Sequence, residues 1–379
     1  MRIFEHIHID WLGKRKLFYT ISLSLFLIGW INVFVRGLHF GIDFKGGTEI
    51  VLQFDKAVNV STVRQYVDNI GLGFVELKTF GGETGVLVRT ESQNIPPSIF
   101  PKVVTQIDSA IDKIYPGIPK TKIDTTAGSI TYAFANPDTT NSIITQLLNA
   151  GYQAGKVSEE PTNTQMVVRV GIADWIKDNL RLRMPDNHFQ IIKEDHVGPK
   201  VGNELKTNAV IAIVLSLIGI LIYLAFRFKF IFAVGAVVAL FHDVLITIGL
   251  YAALYGVIPG LNLEIDLTVV AAFLTLIGYS VNDTVIVFDR VRENLKIHKT
   301  MPLEELINQS VNRTMSRTIL TAGTVLLAVF VLLIFGGEVL RAFSFTLFFG
   351  TITGTYSSIF IASALVLEYA NRFQKKVTF

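Results

Sequence analysis

Six apolar stretches dominate the chain, and each is long enough to cross a membrane as a helix. A bilayer core of about 30 Å needs roughly 20 apolar residues in a helix. Polar residues collect between these stretches, and the longest polar interval separates the first stretch from the second. The pattern predicts transmembrane helices at 17–35, 208–226, 230–251, 267–288, 318–335 and 343–367.

The first stretch follows Lys14-Arg15-Lys16, as the apolar part of a secretion signal would. It is longer than such a region usually is, and no pattern of small residues for cleavage follows it. We therefore interpret it as an uncleaved membrane anchor.

Positive charges set the predicted orientation. Fifteen Lys and Arg residues flank the stretches on one side, whereas the short loops opposite hold only Arg341. Because positively charged loops stay in the cytoplasm, we expect residues 1–16, the 289–317 interval with the start of the fifth span, and the 368–379 tail to be cytoplasmic. Residues 36–207 then form an exterior domain, which is periplasmic in a bacterium with two membranes.

The exterior interval repeats itself. Residues 48–90 align without gaps on residues 128–170, with seven identities and a matching apolar pattern. Each copy indicates strand, helix, strand, strand, followed by a further helix and strand. Since βαββαβ is the ferredoxin-like order, the predicted fold is a six-helix membrane protein with two tandem ferredoxin-like α+β subdomains, at 48–126 and 128–198.

Composition narrows the class of protein. Half of the 379 residues are hydrophobic, 17% are charged, the mean hydropathy is +0.47 and the net charge is +3. This favours contact with the lipid bilayer and argues against a nucleic-acid partner, because no basic stripe is present. The absence of cysteine excludes disulfides, thiolate catalysis and cysteine-bound zinc. No hydrolase, metalloprotease or phosphate-loop motif is present, so neither an enzyme nor a metal site is predicted.

Two carboxylates, Asp243 and Asp283, fall inside the apolar stretches, and Arg317 lies at the start of the fifth. Charges in such positions are costly and usually functional. Asp243 lies ~20 Å along the third predicted span, past the middle of the membrane. Asp283 and Arg317 lie ~9 Å and ~8 Å from the cytoplasmic ends of consecutive antiparallel spans. Their similar depth permits an ion pair, and such a pair could act as a proton-linked switch.

Structural alternatives remain for each of these residues. Arg317 could extend its charge to the cytoplasmic interface, Asp283 could cap a helix end, and Asp243 could serve packing alone. His242 is expected about 100° away from Asp243 around the helix, so we interpret it as a structural hydrogen-bonding residue. Tyr279 and its small neighbours favour a polar, closely packed face next to Asp283.

Five runs of residues, in order along the chain, resemble the SecF family of bacterial protein export. They are Gly41-Ile42-Asp43-Phe44-Lys45-Gly46-Gly47-Thr48, Val197-Gly198-Pro199-Lys200-Val201-Gly202, His242-Asp243-Val244, the segment 278–290 with Asn282-Asp283-Thr284, and Ser316-Arg317-Thr318. The related SecD proteins lack the Asn-Asp-Thr form, so the resemblance is to SecF.

The resemblance implies a subunit of the bacterial inner membrane that pairs with SecD in a twelve-helix assembly of the resistance–nodulation–division type. Such an assembly works beside the SecY-type channel complex after the SecA motor. It uses a proton or sodium gradient, and no other cofactor, to draw a translocating preprotein outward. Carried over to this chain, the resemblance places ion coupling at Asp243, Asp283 and Arg317.

The resemblance also implies supporting residues. The polar neighbours in the membrane would assist ion coupling, and the segment after the first span would join it to the exterior domain and transmit motion. These residues are Tyr279, Asn282, Thr284, Asp43, Gly46 and Gly47. A typical SecF is expected to carry one ferredoxin-like exterior domain, so two would be a departure from the family.

Two other classes of function stay open. A small-molecule efflux half-transporter of the same superfamily would show altered drug susceptibility on deletion while export stays intact. A non-transporting scaffold would use the membrane charges only to pack helices, and replacing Asp283 would leave gradient dependence unchanged. A protein of SecD type purifying in equal amount would favour the export subunit, whereas a homodimer alone would count against it.

Overall fold

The computed structural model describes residues 8–92, 94–126, 128–258 and 261–373. The chain forms two compact units, Met1–Phe44 with Glu204–Phe379, and Lys45–Asn203. In chain order the helices are α1 (Arg15–Arg36), α2 (Ile42–Lys45), α3 (Val60–Asp68), α4 (Phe100–Ile114), α5 (Pro137–Asn149), α6 (Ile172–Arg183), α7 (Pro199–Arg227), α8 (Phe230–Leu254), α9 (Leu267–Ile297), α10 (Leu303–Phe335), α11 (Gly337–Ser357) and α12 (Ala364–Phe373). The strands are β1 (Gly47–Phe54), β2 (Val75–Thr79), β3 (Gly85–Thr90), β4 (Thr121–Thr126), β5 (Ser129–Ala133), β6 (Gln153–Lys156), β7 (Gln165–Arg169) and β8 (Phe189–Val197).

Within the described residues, six helical segments are long and apolar enough to cross a membrane. They contain all six predicted stretches, and the last of them runs through α11, a π-helical turn at Ser358–Ser363 and α12. The predicted 289–317 loop is mostly helical, because α9 continues to Ile297 and α10 begins at Leu303. Hydropathy marks where a helix enters lipid, but a polar sequence can continue the same helix into water.

The membrane helices pack through small residues. The α1 and α8 backbones cross where Gly29 faces Gly249, and a Cβ on Gly29 would lie only 2.6 Å from the Gly249 Cα. Leu276 of α9 fills the space beside Gly350 of α11 in the same way. Small residues of this kind let helices approach closely without help from the hydrophobic effect. The result is a core of α8, α9 and α11, whereas most of α1, α7 and α10 is exposed.

The unit Lys45–Asn203 contains two antiparallel four-stranded sheets, ordered β2-β3-β1-β8 and β4-β5-β7-β6. It corresponds to the interval predicted to be the exterior domain, and it is called the exterior unit below. The predicted repeat is present, because β1, α3, β2 and β3 correspond to β5, α5, β6 and β7 at the shift of 80. Gly71 and Gly151 follow α3 and α5 with φ of 84° and 89°. These left-handed values agree with the expected glycines at the helix ends.

The boundaries predicted for the two subdomains are wrong, because the copies exchange their last helix and strand. Strand β4 pairs with β5 of the second sheet, whereas β8 pairs with β1 of the first. The helices follow their strands, since α6 packs on α3 and α4 packs on α5. The second subdomain is therefore a continuous segment, from α4 to β7, inserted between β3 and α6 of the first. Sequence periodicity predicts each strand but not its partner.

Buried polar contacts hold the exchanged elements in place. The Trp175 indole of α6 donates to the Ile70 carbonyl at 3.3 Å. The Tyr132 hydroxyl of β5 donates to Asp108 of α4 at 3.0 Å. Burial raises the pKa of Tyr132, and the charge of Asp108 acts in the same direction. The phenol thus remains a hydrogen-bond donor at any physiological pH.

The exchange predicts which engineered disulfides form in this cysteine-free chain. Gln53 lies opposite Gln190 on β8, so Q53C/Q190C should oxidise because directly opposed residues have neighbouring Cβ atoms. Ala133, the counterpart of Gln53 in the second copy, lies opposite Thr121, so A133C/T121C should oxidise as well. The matched control Q53C/T121C should stay reduced. Mobility on a non-reducing gel measures the outcome, and a Q53C/T121C crosslink would instead support tandem subdomains.

Candidate functional site

The Asp243 carboxylate lies where α8, α9 and the end of α11 meet. Asp243 is only 1% exposed. Ser280 of α9 donates to Oδ2 at 2.8 Å, and Ser357 of α11 donates to the same oxygen at 2.9 Å. Nδ1 of His242 lies 3.0 Å from Oδ1. Groups from three helices therefore replace water around the carboxylate, which is what a buried acidic group requires.

His242 is closer to Asp243 than the helical-wheel argument indicates. Its ring turns back to bond with the neighbouring carboxylate, and Nε2 lies 3.3 Å from the Tyr356 hydroxyl. That hydroxyl lies 3.2 Å from Oγ of Ser22 on α1. With Asp243 ionised, Nδ1 carries the ring proton and Nε2 accepts from Tyr356. One hydrogen-bonded chain thus joins α1, α11 and α8 at the carboxylate, and hydropathy gave no sign of it.

The backbone beside this carboxylate is tightly fitted. A Cβ on Gly354 would lie 2.8 Å from Oγ of Ser280 and 3.4 Å from Oδ2 of Asp243. The π-helical turn Ser358–Ser363 begins directly after Ser357. π-Helical turns are rare in proteins, but those that occur are often found at functional sites. Space near Asp243 is thus reserved for two hydroxyl groups and excludes a further methyl group.

Asp283 lies on α9 in a different environment. The residue is 3% exposed, yet its Oδ2 has no hydrogen-bond partner within the described part of the chain. The hydroxyl of Tyr279, one turn earlier, and Oγ1 of Thr318 on α10 are buried without partners as well. An unpartnered buried polar atom costs about 1–3 kcal/mol. Three such atoms on two adjoining helices indicate a site that is incomplete in the isolated chain.

The two polar neighbours predicted to support Asp283 differ from each other. Thr284 is fully buried, and its hydroxyl donates to the Ser280 carbonyl at 3.4 Å. Asn282 is exposed. Thr284 therefore belongs to the helix core, and Asn282 belongs to the outer face of α9.

Arg317 is exposed on α10. Its charge is near enough to act on the Asp283 carboxylate, but no ion pair within 4.0 Å joins them among the described residues. The predicted pair is therefore open in this conformation. A small movement of either helix changes the attraction strongly, because low dielectric amplifies a short-range Coulomb interaction.

The outer face of α9 carries small and polar residues. Thr275, Gly278 and Asn282 are exposed at helical spacing, and a Cβ on Gly278 would meet nothing within 4 Å. With the exposed Arg317 of α10, these residues form a polar strip among apolar helices. The Thr275 hydroxyl is satisfied by the Ala271 carbonyl at 2.8 Å, but the side-chain amide of Asn282 and the charge of Arg317 would be costly against lipid, so a protein surface is the natural cover of this strip.

The N-terminal part of α10 holds contacts that the sequence did not predict. Oδ1 of Asn308 accepts from the backbone amides of Trp11 and Leu12, each at 3.0 Å. Asn312 accepts from the Trp11 indole at 2.8 Å and donates to the Ile9 carbonyl at 3.0 Å. The segment before α1 is thereby fixed to the helix that carries Arg317. Two asparagines four residues apart in a charged interval were the available signal.

Gly46 and Gly47 lie at the start of β1, and both have left-handed backbone conformations, with φ of 75° and 121°. A Cβ on Gly46 would lie 2.9 Å from the Pro199 Cα, and one on Gly47 would lie 2.3 Å from the Thr90 carbonyl oxygen. Glycine is required at both positions by conformation and by space. The start of β1 thus packs closely against two other segments of the chain, at Pro199 and at Thr90.

At the N-terminal end of α9, Asp43 accepts a hydrogen bond from the Leu267 amide at 2.9 Å. Asp266 precedes the helix and caps it through the Val269 amide at 2.9 Å. Burial raises the pKa of Asp266, with the charge of Asp43 acting in the same direction. No cluster of three or more His, Cys, Asp or Glu side chains able to hold a metal occurs within the described residues.

Comparison with known proteins identifies the class of membrane protein to which the chain belongs. The family model described as protein export membrane protein SecD/SecF, C-terminal, matches residues 178–372, and the SecD/SecF GG motif matches residues 31–58. The second match contains Gly46 and Gly47, and the first contains Asp243, Asp283 and Arg317. The chain is therefore of the class of SecD/SecF export membrane proteins.

Curated relatives define the group more closely. The protein translocase subunit SecF of Rhodothermus marinus is 37% identical over 372 residues, covering 98% of this chain and 96% of that relative. The subunit of the same name from Koribacter versatilis is 35% identical over 391 residues, covering 97% and 93%. The chain belongs to the SecF family of protein translocase subunits, multi-pass proteins of the bacterial inner membrane.

Solved structures agree. The crystal structure of SecDF from Thermus thermophilus, a translocon-associated membrane protein, is 29% identical with a TM-score of 0.64. SecDF in a super-membrane-facing form is 28% identical with a TM-score of 0.56. The matches cover 98% and 97% of this chain but only 40% of each SecDF chain. Because the relatives match almost end to end, the second exterior subdomain is not the departure from the family that we expected.

The tight fit around Asp243 yields a prediction. G354A should destabilise the protein by about 1–3 kcal/mol, because the added methyl group overpacks Ser280 and the carboxylate. G278A is the matched control, since it adds the same methyl group to an open helix face. Thermal unfolding in mild detergent measures both. Equal melting temperatures would contradict the packing described here.

Proposed function

We propose that this chain is the ion-coupled half of a SecD–SecF pair that uses a proton or sodium gradient to promote late steps of protein export. The observation that carries the proposal is the Asp283 carboxylate, which is buried with one oxygen lacking a hydrogen-bond partner among the described residues. Its helix adjoins α10, which carries the exposed Arg317. A carboxylate at this depth needs a proton, a cation or a nearby positive charge. Asp283 can exchange one of these for another.

The contrast between the two carboxylates supports separate roles. Asp243 already has partners from three helices, so an arriving ion would have to displace existing hydrogen bonds. Asp283 Oδ2 has none to lose among the described residues. In this proposal Asp283 binds the coupling ion, Arg317 is its alternating counter-charge, and Asp243 holds the helix core together.

The coupling step follows from electrostatics. When Asp283 is ionised, Arg317 is attracted toward it, because opposite charges in a low-dielectric site interact strongly. When a proton or Na⁺ neutralises the carboxylate, that attraction is lost and α10 is free to shift. An ion gradient then alternates the relation of α9 and α10, and the chain needs no other cofactor. Movement rather than catalysis is the output of the site.

The polar strip on α9 supports SecD as the partner. Thr275, Gly278, Asn282 and Arg317 are uncovered in the single chain, and this chain spans 40% of the SecDF chains that it resembles. A SecD half would cover the strip and complete the site. In this arrangement both termini are cytoplasmic, the unit Lys45–Asn203 is periplasmic, and the pair serves a preprotein that leaves the SecY-type channel complex after the SecA motor.

Replacing the ion-binding carboxylate tests the proposal. In inverted vesicles, D283N should abolish the gradient-dependent part of preprotein translocation, because the amide cannot bind a proton or balance Arg317. Motor-driven translocation without a gradient should be unchanged. The matched control is D289N on the same helix, where the carboxylate is in surface ion pairs with Arg227 and Arg292. Such pairs are worth about 0–1 kcal/mol, so D289N should resemble the wild type.

The outcomes separate the alternatives. Unchanged gradient dependence in D283N, at normal protein levels, would remove the coupling role and favour a scaffold. Intact export together with altered drug susceptibility would favour an efflux half-transporter.

A further inference from the structure

The start of α9 receives two carboxylate caps, one local and one from a distant part of the chain. Asp266 caps the first turn through Val269 and also accepts from the Thr268 hydroxyl at 2.6 Å. Asp43 accepts from the amide of Leu267, the first residue of the helix, at 2.9 Å. The first amides of a helix have no partner within it, so an acceptor placed there stabilises the helix end. Asp43 supplies one from the segment that leaves α1.

Main-chain hydrogen bonds fix that same segment against the entry to α9. Gly41 donates to the Ile265 carbonyl at 2.8 Å, and Ile265 donates to the His39 carbonyl at 2.8 Å. Phe40 and Ile265 form a parallel bridge. A Cβ on Gly41 would lie 3.1 Å from the Cβ of Asp266. The two strands of chain are therefore in direct backbone contact, with no room for an intervening side chain.

Apolar burial strengthens the attachment. Ile42 and Phe44, on either side of Asp43 in the short helix α2, are 4% and 5% exposed. Phe44 belongs to the same buried cluster as Val269 and Phe273 of α9. Burial of these two apolar side chains favours the position of α2 against α9, because it removes apolar surface from water. Asp43, between them, is held with its carboxylate at the helix terminus.

The chain continues from this attachment directly into the exterior unit. Lys45 ends α2, and Gly46 and Gly47 lead into β1. We propose that Asp43 is a positioning residue, which ties the connection to the exterior unit onto the first turn of α9, so that movement of the connection and movement of this helix are one event. The inference rests on the proposed function, because α9 also carries Asp283.

The distance makes the connection effective. Leu267 and Asp283 lie on one uninterrupted helix, about 24 Å apart at 1.5 Å per residue. A continuous helix transmits displacement along its axis better than a loop does. What the contact requires of residue 43 is an acceptor oxygen, not a negative charge, and this requirement separates a positioning role from an ion-binding role.

Two substitutions at one position test this requirement. D43A removes the acceptor, whereas D43N keeps an oxygen that can accept from the Leu267 amide, and asparagine caps helices as well as aspartate does. D55A is the matched control, because Asp55 is an exposed carboxylate of the exterior unit. Each variant is made in the full chain, assembled with its SecD-type partner, and assayed for gradient-stimulated translocation and for amide hydrogen exchange at residues 265–270.

We expect D43A to lose at least half of the gradient stimulation. Exchange at the start of α9 should rise about fivefold, the change in local equilibrium that loss of one capping acceptor produces. D43N and D55A should stay within twofold of the wild type in both measurements. G41V provides a second route: a Cβ at this position would already lie 3.1 Å from the Asp266 Cβ, so the branched side chain pushes the segment from Asp266 while Asp43 remains. It should reproduce the D43A result even where D43A itself fails to accumulate.

Three results would overturn the proposal. The first is wild-type stimulation and exchange in D43A or in G41V. The second is a D43N variant as defective as D43A, since charge rather than an acceptor would then be required. The third is loss of stimulation in D43A without any change in exchange at the start of α9. If the wild type itself shows no gradient stimulation, the proposed function fails, while hydrogen exchange still decides whether Asp43 caps α9.

Discussion

A carboxylate inside a bundle of apolar helices has to be surrounded by hydrogen-bond donors, and the arrangement of this membrane unit follows from that requirement at Asp243. The donors come from His242 beside it, from Ser280 on α9 and from Ser357 at the end of α11. Each donor fixes the rotation of its helix as well as its distance. The chain through Tyr356 and Ser22 then sets the position of α1, whose backbone meets α8 at Gly29 and Gly249. Apolar contacts alone would not select one arrangement of these helices, because lipid tails are as favourable a neighbour for an apolar side chain as another helix is. The polar groups therefore determine how the helices pack.

The membrane unit therefore holds two acidic groups with opposite properties. Asp243 is rigid because every donor around it would lose a partner if it moved. Asp283 has an oxygen without a described partner, a neighbouring tyrosine hydroxyl in the same state, and an arginine outside contact distance. A site that binds and releases an ion during a transport cycle needs polar atoms whose hydrogen bonds are not all made. It also needs rigid neighbouring structure to hold it in place. Ser280, which donates to Asp243, comes three residues before Asp283 on α9, so the rigid structure is close to the part that changes.

Sequence periodicity and charge predicted the spans, the repeat and the membrane-embedded acidic residues, because these depend on local composition and on the length of a helix. They did not predict partners. The exchange of β4 and β8 was missed because both strands fit either sheet by pattern alone. The bonding of His242 was missed because a helical wheel places the Cα and not the ring nitrogen. Ser280, Ser357 and Tyr356 have no individual signal, since serine and tyrosine are ordinary residues of membrane helices. The Asp43 contact joins residues 224 positions apart, and its only trace was a resemblance to a known motif.

The exchanged strands also bear on how the exterior unit forms while the chain is being made. Strand β1 has to wait for β8, which is synthesised only after the whole inserted subdomain. The four strands of the second sheet and the helices α4 and α5 all come from the continuous segment from α4 to β7, so this sheet can form before α6 and β8 are made. Formation of the inserted sheet shortens the flexible chain between β1 and β8, which lowers the entropic cost of pairing Gly47 with Val197. Until this pairing forms, β1 presents an unpaired apolar edge, and this gives the newly made chain a brief window in which a chaperone or a neighbouring chain can bind.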